Sequence, residues 1–145
     1  MEDSAKNNSQ IKLESILLIK SNFFRDLIID AQDKSKIVQD LNIDITNSEL
    51  KSDRFSVYLH LDFNVLYDSK KLIEINVIYS GTFNKSNTSA DDNALENFIN
   101  INAPAIIFPF VREEIAAITS KAGIGTVLLQ PVNFVELSKK KKQKD

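Results

Sequence analysis

The side chains able to do chemistry are few and poorly placed for it. His60 is the single histidine, and Ser56 precedes it in a run that alternates apolar and polar residues. Strand spacing puts the two on one face. A nucleophile also needs a base held in place by a third group, and no such set is visible. His60 therefore reads as a surface residue on the wetter side of a strand. Asp62 and Asp68 share a parity but lack a second set of oxygen ligands for a hard cation. There is no cysteine, which removes disulfides and thiolate metal sites. Glu113 and Glu114 read as a solvated or interface-pairing face, and Gly81, Gly123 and Gly125 form no phosphate loop. Neither an enzyme nor a metal or cofactor is expected.

What remains is the chemistry of apolar contact. Phe108, Phe110 and Phe134 could line a groove, because aromatic side chains hold extended peptides with little demand on sequence. The alternative is that they anchor a helix in the core or at an interface, which is the first reading for Phe108 and Phe134. Leu41, Ile43 and Ile45 fit a groove floor better, being on a short strand flanked by polar loops. Leu41, Ile43, Ile45, Phe108 and Phe110 are the candidates for polypeptide binding.

At 145 residues the chain fits one domain, and 43% hydrophobic composition supplies a core. The net charge of −2 hides an asymmetry, because residues 139–144 carry five lysines. Without residues 139–145 the chain holds 13 basic and 19 acidic side chains, a net −6. An acidic body argues against nucleic acid as a partner. Residues 138–145 read as a basic, disordered tail, either simply solvated or an electrostatic handle for an acidic partner or membrane surface. Residues 1–10 read as a disordered lead-in with no signal-peptide core. The longest apolar runs, Ile16–Ile19 and Ala105–Phe108, fall far short of a membrane span. A cytoplasmic protein with no stable membrane insertion is expected.

The elements that must position these residues can be read from periodicity. Ile11, Leu13, Leu17, Ile19 and Phe23 share one parity, hence a strand. Ile16, Leu18 and Phe24 break its polar face, which marks Ile16 and Leu18 as a candidate subunit interface. Residues 30–40 read as a loop or short helical turn, followed by a short strand over Leu41–Ile45. Phe55, Val57, Leu59, Leu61, Phe63, Val65 and Tyr67 occupy every odd position of a long strand, and a polar connection at residues 68–71 leads to a strand from Ile73 to Phe83. Asp91-Asp92 can cap a helix running to about Asn100. Pro104 can open a second helix, distorted at Pro109, whose stripe is Ile107, Val111, Ile115 and Ile118. That stripe is assigned to subunit packing, so Ile115→Asp is expected to dissociate an oligomer. Strands first and helices after imply an α+β fold with an antiparallel sheet.

Pro104, Phe108-Pro109-Phe110, Arg112-Glu113, Gly123 and Leu129-Gln130-Pro131-Val132-Asn133-Phe134 stand in one order and spacing. That C-terminal third resembles the SecB family of protein-export chaperones, and with the strand order the resemblance covers most of residues 11–137. It implies a four-stranded antiparallel sheet with a main helix on one face, assembled as a homotetramer (a dimer of dimers). It also implies ATP-independent holding of unfolded polypeptides along apolar grooves. Export-dedicated members dock the SecA motor ATPase through acidic residues on the exposed sheet face, and here the matching positions read as Ser21, Arg25 and Asn76. Coupling to that motor is therefore in doubt. Solitary members serve as chaperones of antitoxins, which leaves a partner-dedicated chaperone as the alternative to a general holdase. A structural subunit without a client is a third reading.

Overall fold

A computed structural model describes residues 11–86, 88 and 91–144. The lead-in over residues 1–10 lies outside the described residues. Four strands make one antiparallel sheet: β1 (Lys12–Arg25), β2 (Ile37–Glu49), β3 (Arg54–Tyr67) and β4 (Lys70–Asn84), in the spatial order β1-β4-β3-β2. A single helical turn, Lys34–Lys36, precedes β2 and is capped by Asp33. A long helix, α1 (Asp92–Lys121), comes after the strands, and α2 (Phe134–Lys144) ends the described chain.

The sheet has one apolar and one polar face because β3 and β4 alternate from Ile73 onward, beyond a single slip at Leu72. Val57, Leu59, Leu61, Ile75, Val77 and Phe83 are buried under α1, whereas His60, Asp62, Asn76 and Ile78 turn to the open face. The β3–β4 connection is two residues, Asp68 and Ser69, both at positive φ (51° and 70°). That is the mirror-image turn whose twist suits a tight hairpin. At the other end of β4, Gly81 lies beneath α1. A Cβ there would sit 2.9 Å from a Phe83 ring carbon and 3.1 Å from Ile107 Cδ1.

β1 departs from simple alternation. Its pairing with β4 slips between Leu13 and Ser15 and again between Leu18 and Lys20, leaving Glu14 and Ile19 as extra residues. Each bulge reverses the parity of the residues beyond it. The helix-side set is therefore Leu13, Ile16, Leu18, Ser21, Phe23 and Arg25, while Leu17 opposes Ser80 on the open face. A single parity for Ile11, Leu13, Leu17, Ile19 and Phe23 does not hold.

α1 is continuous where two helices are expected. Asp91 caps it through Ala94 N–H, and a π turn over Phe98–Asn102 carries it to Pro104. By length and composition alone α1 is apolar enough to cross a membrane. Its stripe Ile107, Val111 and Ile115 is nevertheless wholly buried on the sheet. Two side chains hold the end of α1. Thr119 Oγ1 donates back to the Ile115 carbonyl and accepts from Val127 N–H at 2.9 Å, drawing the next segment onto the helix. Arg25 Nη1 donates to the Ala122 carbonyl at 2.6 Å. Gly123, at φ 71°, then turns the chain away from the helix in the left-handed region that glycine adopts without strain.

Candidate functional site

β2 is an edge strand, and its pairing with β3 runs without a slip from Ile37 opposite Tyr67 to Glu49 opposite Phe55. Leu41, Ile43 and Ile45 oppose Phe63, Leu61 and Leu59, so all three stand on the helix side of the sheet. The main chain of Ile45 faces outward: its N–H donates to Asp44 Oδ1 at 2.9 Å, and its carbonyl accepts from Lys141 Nζ at 3.3 Å. Because outward and inward groups alternate along a strand, Gln39, Leu41 and Ile43 also turn their main-chain groups away from β3.

α2 lies alongside this edge. Asn133 starts it by accepting Glu136 N–H at its side chain, and Phe134 packs edge to face on Phe108 with ring centroids 5.9 Å apart. Between α2, the π turn of α1 and β2 opens a cleft of about 400 Å³, floored by Ile43, Ile45 and Leu137 and rimmed by Asn100, Lys140 and Lys141. Through Asn100, Ser138 and Lys141 it continues into a second hollow of about 470 Å³ beside Leu95 and Ile99. An apolar floor beside a free strand edge suits an extended polypeptide, whose alternate side chains enter the floor while its backbone meets the edge.

The model for the SecB family, described as preprotein translocase subunit SecB, matches residues 10–145. The chain belongs to the SecB family. It is 29% identical over 139 residues to the protein-export protein SecB of Orientia tsutsugamushi strain Ikeda, covering 89% of this chain and 83% of that one. It is 32% identical over 103 residues to the SecB of Rickettsia felis, covering 70% and 66%. Among solved structures, the SecB-like chaperone of Mycobacterium tuberculosis, in complex with an antitoxin peptide, superposes with a TM-score of 0.71. That superposition covers 92% of this chain and 98% of that one, at 11% identity. The likeness is one of fold: a four-stranded antiparallel sheet with a long helix packed on it.

Within this SecB fold the residues singled out from sequence separate into three groups. Leu41, Ile43 and Ile45 share the helix side of β2; Leu41 is 46% exposed, and Ile45 is the deepest at 8%. Phe110, 41% exposed, lies on the opposite flank of α1 near Tyr79, with centroids 6.2 Å apart. Phe108 is only 7% exposed and fills the core against Phe134. It anchors α2, in line with the core reading placed first for it above. Ile107, Val111 and Ile115, assigned to subunit packing, are 0% exposed within one chain, where they pack on its own sheet. Ile118 and Ile16 are partly buried beside the core, and Leu18 is exposed opposite Tyr79.

Ser21 and Arg25 do not lie on the open face of the sheet, where the resemblance has them. Ser21 and Arg25 face the helix, where Ser21 Oγ donates to Glu114 Oε1 at 3.1 Å and Arg25 holds the end of α1. At this end of β1 the open face carries Lys20, Asn22 and Phe24. Asn22 Nδ2 donates to Asn76 Oδ1 at 2.9 Å, and Asn76 Nδ2 donates to Asp62 Oδ1 at 2.6 Å, a polar ladder across three strands. His60 Nε2 pairs with Thr46 Oγ1 at 2.9 Å and Ser56 Oγ with Thr82 Oγ1 at 3.0 Å, so serine and histidine have separate cross-strand partners.

Sequence reasoning did not single out Leu137, Lys140 and Lys141, which the helix over Phe134–Lys144 brings to the cleft. The signal that could have found them was Asn133 with Glu136 three residues later, the spacing of a capping box. Lysine is also a good helix former that suits a helix C-terminus. Burial raises the Tyr79 hydroxyl pKa, and the nearby Glu114 and Glu113 carboxylates push it further the same way.

Proposed function

We propose that this SecB-family chain is an ATP-independent cytoplasmic holdase for protein export, binding unfolded polypeptides along the cleft between β2 and α2. The observation that carries this is the apolar floor of Ile43, Ile45 and Leu137 lying beside the unbroken outer edge of β2. Apolar contact supplies affinity with little sequence preference, while edge hydrogen bonds favour an extended backbone. A folded protein offers neither exposed apolar side chains nor free strands, so the cleft discriminates against it. Neither nucleotide nor covalent step is required.

Self-association accompanies this reading. Leu13 and Leu18 on β1, with Ile106 and Phe110 on the outer flank of α1, are exposed apolar side chains. Grouped apolar surface of that kind marks contact between subunits, in keeping with a homotetramer. A general export role would bring the SecA motor as a partner, and acid for such docking is present on the open face at Asp62 and Glu74, while Glu14 of β1 is paired with Arg54. A partner-dedicated role, as for an antitoxin, predicts instead one strongly preferred segment.

Calorimetric titration with one unfolded, non-aggregating polypeptide and with its folded form tests the proposal. Binding of the unfolded form alone, with a negative heat-capacity change, is expected. Equal binding of both forms, or of neither, refutes it.

A further inference from the structure

The rim of the cleft is charged unequally. Its floor is apolar, but Lys140 and Lys141 stand on the α2 side and Asp44 is its one acidic group. Asp44 is already engaged: its Oδ1 accepts the Ile45 N–H at 2.9 Å and lies 3.8 Å from Lys141 Nζ. Lys140 is exposed and makes no ion pair among the described residues. Among the described residues Lys141 is held by that long, exposed pair and by the Ile45 carbonyl at 3.3 Å. Exposed pairs of this kind contribute little and exchange readily for better partners.

We infer that the cleft selects, among extended apolar segments, those carrying aspartate or glutamate next to the apolar residues. This rests on the client-holding reading and adds a charge preference to it. An extended segment along β2 places alternate side chains on the floor of Ile43, Ile45 and Leu137 and turns the intervening ones toward the rim. A carboxylate there meets Lys140 directly and draws Lys141 from the Ile45 carbonyl, freeing that carbonyl for the segment's own N–H. A lysine in the same place meets two like charges well within a screening length. The acidic balance of the rest of the chain, −6 without residues 139–145, does not oppose this, because the lysines are concentrated in α2 at the cleft itself.

Two labelled peptides of alternating leucine and serine test the preference by fluorescence anisotropy against the full-length protein. They are identical except that two serines become aspartates in one and lysines in the other. The aspartate peptide is expected to bind about fivefold more tightly at low ionic strength, from two exposed charge contacts of ordinary strength. Raising salt from about 0.05 to about 0.5 M should bring the two close to parity. Lys140→Glu with Lys141→Glu should reverse the order, and Lys140→Gln with Lys141→Gln should abolish the difference. Equal binding of the two peptides by the unaltered protein overturns the charge preference alone, as does an order that the double glutamate variant leaves unchanged. Binding of neither peptide overturns the cleft as a client site and the preference with it.

Discussion

Gly81→Ala places a methyl group between β4 and α1. Its Cβ would stand 2.9 Å from Phe83 Cε2 and 3.1 Å from Ile107 Cδ1. Carbon atoms in good contact sit about 3.5–4.0 Å apart, so both neighbours must withdraw by roughly half an ångström. Neither can do so freely. The Phe83 ring is stacked on Phe55 at 5.6 Å and set edge-on to Phe98 at 5.1 Å, and Ile107 is fully buried. Overpacking of this kind costs about 1–3 kcal/mol. Replacing a strand glycine by alanine returns roughly 0.5–1 kcal/mol through the unfolded state, so the net expectation is a loss of about 1–2 kcal/mol. Urea unfolding at fixed protein concentration measures it. Ile107→Val removes the Cδ1 that is struck, so the double variant should lose less than the sum of the two single changes, a positive coupling of neighbours. Unchanged or raised stability for Gly81→Ala, or strict additivity in the cycle, refutes the proposed close approach.

The same packing sets further outcomes. Ile115→Ala should cost about 2–5 kcal/mol by opening a cavity in the core of a single chain. Ile106→Ala, on the exposed flank, should leave the fold near wild type and instead weaken self-association, as sedimentation would read. Arg25→Ala removes three main-chain contacts, including the one to Ala122, and should cost about 1–2 kcal/mol, with amide exchange rising first at the C-terminal turn of α1. Asp26 is held below the ordinary carboxylate pKa, chiefly by its hydrogen bond from Lys70, whose Nζ lies 2.8 Å away. A depressed folded pKa gives stability that is complete above the unfolded value of about 4 and is lost as pH falls through the folded one. Asp26→Asn should therefore flatten the acid limb of a pH–stability profile below about pH 4 and lower stability at neutral pH.

Legibility in the sequence tracks burial. β3 and β4 lie in the middle of the sheet with one face under α1, so their alternation is unbroken over Phe55–Tyr67 and Ile73–Phe83. β1 is equally apolar, yet two single-residue bulges undo its parity, and nothing in the residue types at Glu14 or Ile19 announces them. The first residues of β2, Ile37–Asp40, bury little and so leave no periodic signal; only their pairing with β3 makes them strand. The stripe of α1 was legible as a stripe. Whether a sheet or a neighbouring subunit covers it is a matter of tertiary packing that periodicity does not encode, and within one chain the sheet covers Ile107, Val111 and Ile115. On β2, Leu41, Ile43 and Ile45 are legible as apolar positions of one parity, and Ile43 and Ile45 are the two that line the cleft. The α2 half was hidden by its lysines, whose charge suggests a solvated end even where their helix propensity builds a wall of the cleft.

Neighbouring positions of β2 on opposite faces allow the most direct test of client holding in the cleft. Ile43→Asp puts a carboxylate into the floor, whereas Thr46→Asp puts one on the open face of the same strand, beside His60. Both variants are titrated with the same unfolded, predominantly apolar polypeptide, after circular dichroism confirms an unchanged fold. Ile43→Asp is predicted to lose at least about tenfold in affinity, the effect of desolvating a charge on an apolar floor, with Thr46→Asp close to wild type. Equal affinity for the two variants, or a loss confined to Thr46→Asp, would contradict the cleft and move client binding to the open face.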